Sequence, residues 1–308
     1  MQNLGRSLID TNSLSIKQIE DLFSLSDQFG ENFKRTRKFL SPKEKKIVCC
    51  VFFEPSTRTR MSFQIAAERL GMSVVVMESS SSSLVKGESL SDTIHNLAAM
   101  TPDALVVRYG QSPDLDRLLP QLAMPVINAG SGVSAHPTQG LLDAYTISKE
   151  RGKIKGEKVL IIGDIVHSRV ARSNYDILLK LGAEIAFCGP ENFLPSKDEF
   201  GGTQNFTHLK EALEWCTVCM GLRIQLERHD AADLNSLSVD DYHSQFGLNA
   251  RTLQFLKPDA VIMHPGPINV GVEFSKEVLK DSRARILTQV SNGVLIRAAV
   301  LATLTRLT

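Results

Sequence analysis

The chain has 308 residues, more than one domain usually holds, so two α/β domains are expected. Apolar residues make up 43% and charged residues 22%, the profile of a globular protein with ample core. A formal net charge of +1 excludes a general attraction to nucleic acid or to an anionic membrane, so anionic ligands must be met by local clusters. The first ten residues lack an apolar core of signal-peptide length, and no apolar run approaches membrane-spanning length; a cytoplasmic location is expected. Five cysteines, an odd number set in or beside apolar runs, argue against a disulfide framework.

In chain order, apolar residues Ile16, Ile19, Leu22 and Phe23 predict a helix over about 15–29, with Ser13 or Ser15 as cap. The basic stretch 34–46 is expected to be a solvated connection. Ile47 to Phe52 form an apolar run that predicts a buried strand, and Phe63, Ala66, Ala67 and Leu70 recur at helical spacing after it. Between them lies Phe53-Glu54-Pro55-Ser56-Thr57-Arg58-Thr59-Arg60 at a strand-to-helix turn. Ser56 or Thr57 is a natural N-cap, and a helix start offers unpaired N–H groups to an anion. The hydroxyls of Ser56, Thr57 and Thr59 and the guanidinium fork of Arg58 suit phosphate oxygens. An ordinary capped helix with solvated arginines fits the same residues. The glycines of a P-loop are absent, which favours a phosphate compound smaller than a nucleoside triphosphate.

A strand at 74–77 is followed by the serine run 79–83 and Lys86, then by a helix over 89–100 with Ser89 and Asp92 placed for a capping box. The serine run suits a flexible linker. Its place inside a β-α alternation favours instead a mobile loop carrying hydroxyls and the Lys86 ammonium toward an anion. Strands at 104–107 and 125–128 bring Arg108 and, beyond Ala129-Gly130-Ser131-Gly132, the helix-opening His136-Pro137-Thr138-Gln139 to strand ends, where ligands of open α/β sheets collect. Alone, such a histidine is more often a cap or surface residue.

The polar, glycine-bearing segment 151–156 is the expected domain boundary. A second α/β series begins with the strand 159–162, and Gly163-Asp164 carries no G-x-G-x-x-G, so a dinucleotide is not expected. Arg169 opens a helix over about 170–181, a strand at 184–188 follows, then a helix near 207–214, and Arg223 ends a strand over 215–222. Cys216-Thr217-Val218-Cys219 has the spacing of a metal or redox pair, but positions three apart on a strand face opposite ways, which favours buried free thiols. Residues 227–254 suit a long loop with a short helix. His264-Pro265-Gly266-Pro267 is a turn that presents bare carbonyls. An apolar-striped helix over 290–307 is expected to return to the first domain.

Phe53-x-Pro55-Ser56-Thr57-Arg58-Thr59-Arg60, His136-Pro137-Thr138-Gln139 and His264-Pro265-Gly266-Pro267 together resemble the carbamoyltransferases, over nearly the whole length and in order. Arg169, the Arg223-Ile224-Gln225 segment and the His-Pro-Gly-Pro turn resemble the aspartate branch of that family; the His-Cys-Leu-Pro turn and Ser-Met-Gly loop of the ornithine branch are absent. The resemblance implies an α/β fold of two domains, each a mainly parallel sheet flanked by helices. Residues 1–150 with the crossing helix 290–308 would form a carbamoyl-phosphate domain, and 151–289 an aspartate domain. It implies carbamoyl transfer from carbamoyl phosphate to L-aspartate, early in pyrimidine synthesis, by a homotrimer with shared sites and without cofactor or metal.

By position, the resemblance puts Ser56, Thr57, Arg58 and Thr59 on the phosphate. Arg108, Thr59 and His136 would face the carbonyl oxygen, and Gln139, Pro265 and Pro267 the carbamoyl nitrogen. Arg169, Arg223 and Gln225 would hold aspartate. Ser82 and Lys86 would enter from a neighbouring chain, Lys86 reaching aspartate as well, and Glu54 and Arg228 would tie the domains on closure. Regulatory or dihydroorotase-like partner chains are compatible with it. One departure stands out: many relatives carry an arginine just after the turn, whereas Ile268-Asn269-Val270-Gly271 has none. The rivals are a carbamoyltransferase for ornithine or another amine, and a catalytically silent binding subunit.

Overall fold

A computed structural model describes residues 4–42, 44–78, 87–196, 198–224 and 238–307. The chain divides into two compact units, Met1–Tyr145 with Val290–Thr308, and Thr146–Gln289.

In the first unit α1 (Ile16–Thr36) starts at a capping box. The Ser15 hydroxyl accepts the Gln18 N–H at 3.2 Å, and the Gln18 side chain accepts the Ser15 N–H at 2.8 Å. The helix continues past residue 29 into the basic stretch expected to be a connection. The reason is tertiary: Phe29 and Phe33 both pack on the Phe39 ring, and the Arg69 guanidinium lies 4.4 Å over Phe33. Then come β1 (Ile47–Phe52), α2 (Thr57–Arg69), β2 (Ser73–Glu78), α3 (Leu90–Ala99), β3 (Ala104–Tyr109), α4 (Pro113–Leu118), β4 (Val126–Ser131) and α5 (Pro137–Arg151). The sheet is parallel throughout, in the order β2-β1-β3-β4.

The second unit holds β5 (Lys158–Ile162), α6 (Arg169–Lys180), β6 (Glu184–Cys188), β7 (Gln204–Phe206), α7 (Leu209–Trp215), β8 (Val218–Gly221), α8 (Val239–Phe246) and β9 (Val261–Met263). Its sheet is also parallel, ordered β7-β6-β5-β8-β9. The last helix is α9 (Ile286–Leu304). The strand expected over 215–222 is shorter, because Trp215 still closes α7. All five cysteines are free and buried; Cys216 sits at the end of α7 and Cys219 on β8. The short elements α4 and β7 lack a periodic apolar stripe long enough to announce them.

The chain passes between units inside continuous helices, at 145/146 in α5 and at 289/290 in α9, so the polar segment 151–156 follows the crossing rather than making it. By length and composition α9 is apolar enough to cross a membrane, contrary to the expectation that no run would be. A buried core helix meets the same criteria. Ile296, Ala298, Ala299, Val300 and Leu301 of α9 are buried, and Leu295 lies 3.7 Å from where a Cβ on Gly30 of α1 would stand.

In each unit the first strand is flanked on both sides by later ones: β1 by β2 and β3, β5 by β6 and β8. Strand order therefore reverses between β1 and β3, and again between β5 and β8. Those two points are where open α/β sheets hold ligands, outside the carboxyl ends of the strands.

Candidate active site

At the first reversal, parallel pairing sets Phe52 opposite Arg108, and the Phe53 N–H donates to the Arg108 carbonyl at 2.8 Å. The turn before α2 is thereby fixed beside a residue far away in sequence. The Arg108 guanidinium donates through Nη1 to the Ala129 carbonyl at 3.2 Å, and its Nε lies 3.7 Å from Glu54 Oε2. Glu54, a residue the resemblance assigns to domain closure, is thus an ion-pair partner of Arg108 within this unit.

Ser56 occupies the N-cap position of α2, yet its side chain accepts no hydrogen bond from the helix. The expectation that Ser56 or Thr57 caps the helix is corrected accordingly: Thr57 is already helical, and the Ser56 hydroxyl does not close the first turn. Thr57 and Arg58 are exposed, whereas Thr59 is buried.

β4 carries the third part of this set. The Asn128 side chain donates to the Ile9 carbonyl (2.8 Å) and to the Ser131 hydroxyl (3.0 Å), and accepts the Gly130 N–H at 2.7 Å. Gly132 turns the chain at φ 40°, where a Cβ would press on the Gln111 backbone at 3.3 Å. The Ser131 N–H then reaches the Ala135 carbonyl at 2.9 Å and delivers buried His136 to the start of α5. One turn on, Gln139 Nε2 donates to Asp143 Oδ1 at 3.0 Å; both side chains are buried.

At the second reversal the Leu222 N–H donates to the Ile162 carbonyl at 2.8 Å, which aligns Arg223 with the turn after β5. In that turn the carboxylate of buried Asp164 accepts the His167 backbone N–H (3.2 Å) and meets the His167 ring Nδ1 at 2.9 Å. The Ser168 hydroxyl accepts the Ala171 N–H at 3.1 Å, capping α6, and Arg169 on its first turn is buried to 7% exposure. Glu273 fastens the opposite wall: it accepts N–H groups from Ile224 (2.7 Å) and Asn269 (2.8 Å) and the Asn269 side-chain amide at 3.0 Å. Burial raises its carboxyl above the usual range, and those N–H bonds oppose the rise. Glu273 therefore joins the Arg223 segment to the segment after Pro267, so the stretch lacking the family's arginine is held by a carboxylate on backbone N–H groups.

In the turn itself the Gly266 N–H donates to His264 Nδ1 at 2.8 Å, placing the imidazole proton on Nε2. Gly266-Pro267 is a cis peptide. Pro265 is half-buried and Pro267 exposed.

Of the residues singled out from sequence, Glu54, Ser56 to Thr59, Arg108, His136 and Gln139 gather in the first unit, and Arg169, Arg223, Pro265 and Pro267 in the second. Ser82, Lys86, Gln225 and Arg228 lie outside the described residues. Sequence reasoning passed over Asn128, Asp143 and Glu273 and gave Asp164 no role. Each acid breaks an apolar pattern: Asp143 follows Leu141-Leu142, and Glu273 stands between Val272 and Phe274. A lone acid at an apolar position must find hydrogen bonds on folding, and that was the available signal.

Comparison with known proteins agrees with this geometry. Residues 6–149 match the aspartate/ornithine carbamoyltransferase carbamoyl-P binding domain, and residues 155–304 the Asp/Orn binding domain of the same family. The chain is 45% identical over 296 residues to the aspartate carbamoyltransferase catalytic subunit of Solibacter usitatus (96% of this chain, 97% of that one). It is 43% identical over 296 residues to that of Sorangium cellulosum (96% and 92%). Among solved structures, aspartate transcarbamoylase of Trypanosoma cruzi in complex with carbamoyl aspartate and phosphate superposes with a TM-score of 0.86 at 28% identity, covering 97% of this chain and 95% of that one. Ornithine carbamoyltransferase from Pyrococcus furiosus gives 0.83 at 26% identity, with 98% of each chain covered. With both halves of the chain matched in order, and relatives above 40% identity spanning nearly all of it, the chain belongs to the aspartate/ornithine carbamoyltransferase family.

Proposed function

We infer that this chain transfers the carbamoyl group of carbamoyl phosphate to the amine of L-aspartate, giving N-carbamoyl-L-aspartate and phosphate, a reaction of pyrimidine biosynthesis. The observation that carries the choice of aspartate is the pair Arg169 and Arg223 at the β5/β8 reversal, one buried and one half-buried. Two guanidinium forks answer two carboxylates, and the extra ammonium of ornithine would be repelled there. The aspartate carbamoyltransferases among the relatives support the same choice.

In this reading the open start of α2, with Ser56, Thr57, Arg58 and Thr59, takes the phosphate. Arg108, Thr59 and His136 face the carbonyl oxygen. When the amine attacks the carbonyl carbon, negative charge builds on that oxygen, and each preorganised donor there is worth about 2.7–4 kcal/mol. The C–O bond to phosphate then breaks, and the departing phosphate accepts the proton lost by the amine. Gln139 with the Pro265 and Pro267 region binds the carbamoyl nitrogen, and Gln225 joins the arginines on aspartate. Ser82 and Lys86 complete the site from a neighbouring copy in a homotrimer. Edge strand β2 leaves Val75 exposed by 52% and Val76 by 37%, and α2 leaves Met61 and Ile65 exposed; apolar side chains uncovered at and near an open sheet edge suit contact with a second copy. Glu54 and Arg228 serve domain closure.

The test is product formation from carbamoyl phosphate with aspartate and, separately, with ornithine. Ureido product from aspartate alone is expected. Product from ornithine would overturn the role given to Arg169 and Arg223, and no product from folded protein would favour a silent subunit.

A further inference from the structure

The turn after β9 is shaped by a side chain to which the proposed function gives no role. His264 is buried, and its backbone N–H donates to Oε1 of buried Gln289 at 2.9 Å. Its imidazole meets the Phe274 ring edge-on, with centres 5.1 Å apart and planes at 70°. The glycine that ends β8 makes room for both rings: a Cβ on Gly221 would stand 2.5 Å from Phe274 Cε1 and 3.4 Å from His264 Cδ2. The ring placed in this way accepts the Gly266 N–H at Nδ1 over 2.8 Å, and so carries its proton on Nε2. Gly266 itself lies in the left-handed region at φ 67°, a conformation that suits glycine.

That bond decides what the turn offers to a ligand. Pro265 and Pro267 have no N–H, so Gly266 carries the one backbone donor of residues 265–267. With that donor taken up by Nδ1, what remains on the backbone of the turn is carbonyl oxygen, which only accepts. A carbamoyl NH2 brings N–H donors and matches such a surface, whereas a methyl group in its place does not. Released from the ring, the Gly266 N–H would set a donor against those donors. We propose that His264 is a positioning residue: by holding the Gly266 N–H, it makes the 265–267 turn an all-acceptor surface that selects the NH2 of the carbamoyl group. The inference rests on the carbamoyl-phosphate reading, in which this turn meets the carbamoyl nitrogen.

Calorimetric titration of the full chain with carbamoyl phosphate, acetyl phosphate and inorganic phosphate tests this. Acetyl phosphate carries CH3 where carbamoyl phosphate carries NH2, and inorganic phosphate lacks the whole group. The wild type is expected to prefer carbamoyl over acetyl phosphate about 10-fold or more. His264→Phe and His264→Leu fill the place beside Phe274 without an acceptor. Both should lose most of that preference, about 10-fold, while binding acetyl phosphate and inorganic phosphate as before. His264→Asn puts Oδ1 where Nδ1 stands, an acceptor for the N–H two residues on, and should restore the preference. Folded His264→Phe or His264→Leu protein with the wild-type preference would overturn the proposal. Equal losses for all the ligands, or a His264→Asn variant no better than His264→Leu, would do so too, since either marks a structural role only. Wild-type protein that binds none of the ligands would defeat the reading of the site and this inference with it.

Discussion

The two units solve one topological problem with opposite treatments of a helix start. Both place a strand-to-helix turn where strand order reverses, after β1 and after β5. At α6 the Ser168 hydroxyl takes the Ala171 N–H, and in the proposed function the side chains of Arg169 and Arg223 do the recognising. At α2 the serine in the same position makes no such bond, and in the proposed function that helix start receives an anion. A capped start suits recognition by side chains, an uncapped one recognition by backbone. The topology decides where a ligand goes, and the cap decides what kind.

The strongest way to break this comparison is Arg58→Ala. It removes the fork beside the open helix start, and kcat is expected to fall about 10²- to 10³-fold with weakened inhibition by inorganic phosphate. Unchanged phosphate inhibition would mean the anion sits elsewhere. Next comes Arg223→Ala, for which KM for aspartate should rise about 30-fold or more while phosphate inhibition stays as in the wild type, because the proposed function gives the two units different ligands. Loss of both responses together would erase the division of labour.

A smaller effect is expected from Glu273→Ala, which strips the acceptor from the Ile224 and Asn269 N–H groups. Each buried N–H left unmet costs about 1–3 kcal/mol, so steady-state kinetics should show a rise in KM for aspartate, on the order of tenfold, larger than any change for carbamoyl phosphate. The cap contrast is tested directly by melting curves. Ser168→Ala should cost about 1 kcal/mol and lower Tm by about 2–4 °C, whereas Ser56→Ala should leave Tm in place and instead weaken phosphate binding. Equal shifts in Tm would remove the distinction. Least of all should be any response to a thiol reagent. Burial pushes the Cys50 and Cys188 thiols up to about 12, so native protein should show no labelled cysteine and denatured protein five.

Much of the fold was legible because burial in a parallel sheet leaves continuous apolar runs. Residues 47–52, 104–107 and 159–162 announced β1, β3 and β5 in this way. Most of the candidate site was legible too, because its residues cluster in short motifs at strand ends. What could not be read were residues acting across large separations. Glu273 gains its place only when β8 and β9 pair and bring residue 224 to residue 273.

By itself the sequence determined the alternation of strands and helices and the family, since these depend on local pattern and residue chemistry. Tertiary structure decided the extent of α1, which Phe39 and Arg69 prolong, and the absence of a side-chain cap at Ser56 where the residue type alone predicts one. It also decided that Glu273 meets the N–H groups of Ile224 and Asn269. A buried charge or amide is tolerated only where partners from other segments converge on it, and that convergence is a property of the folded chain.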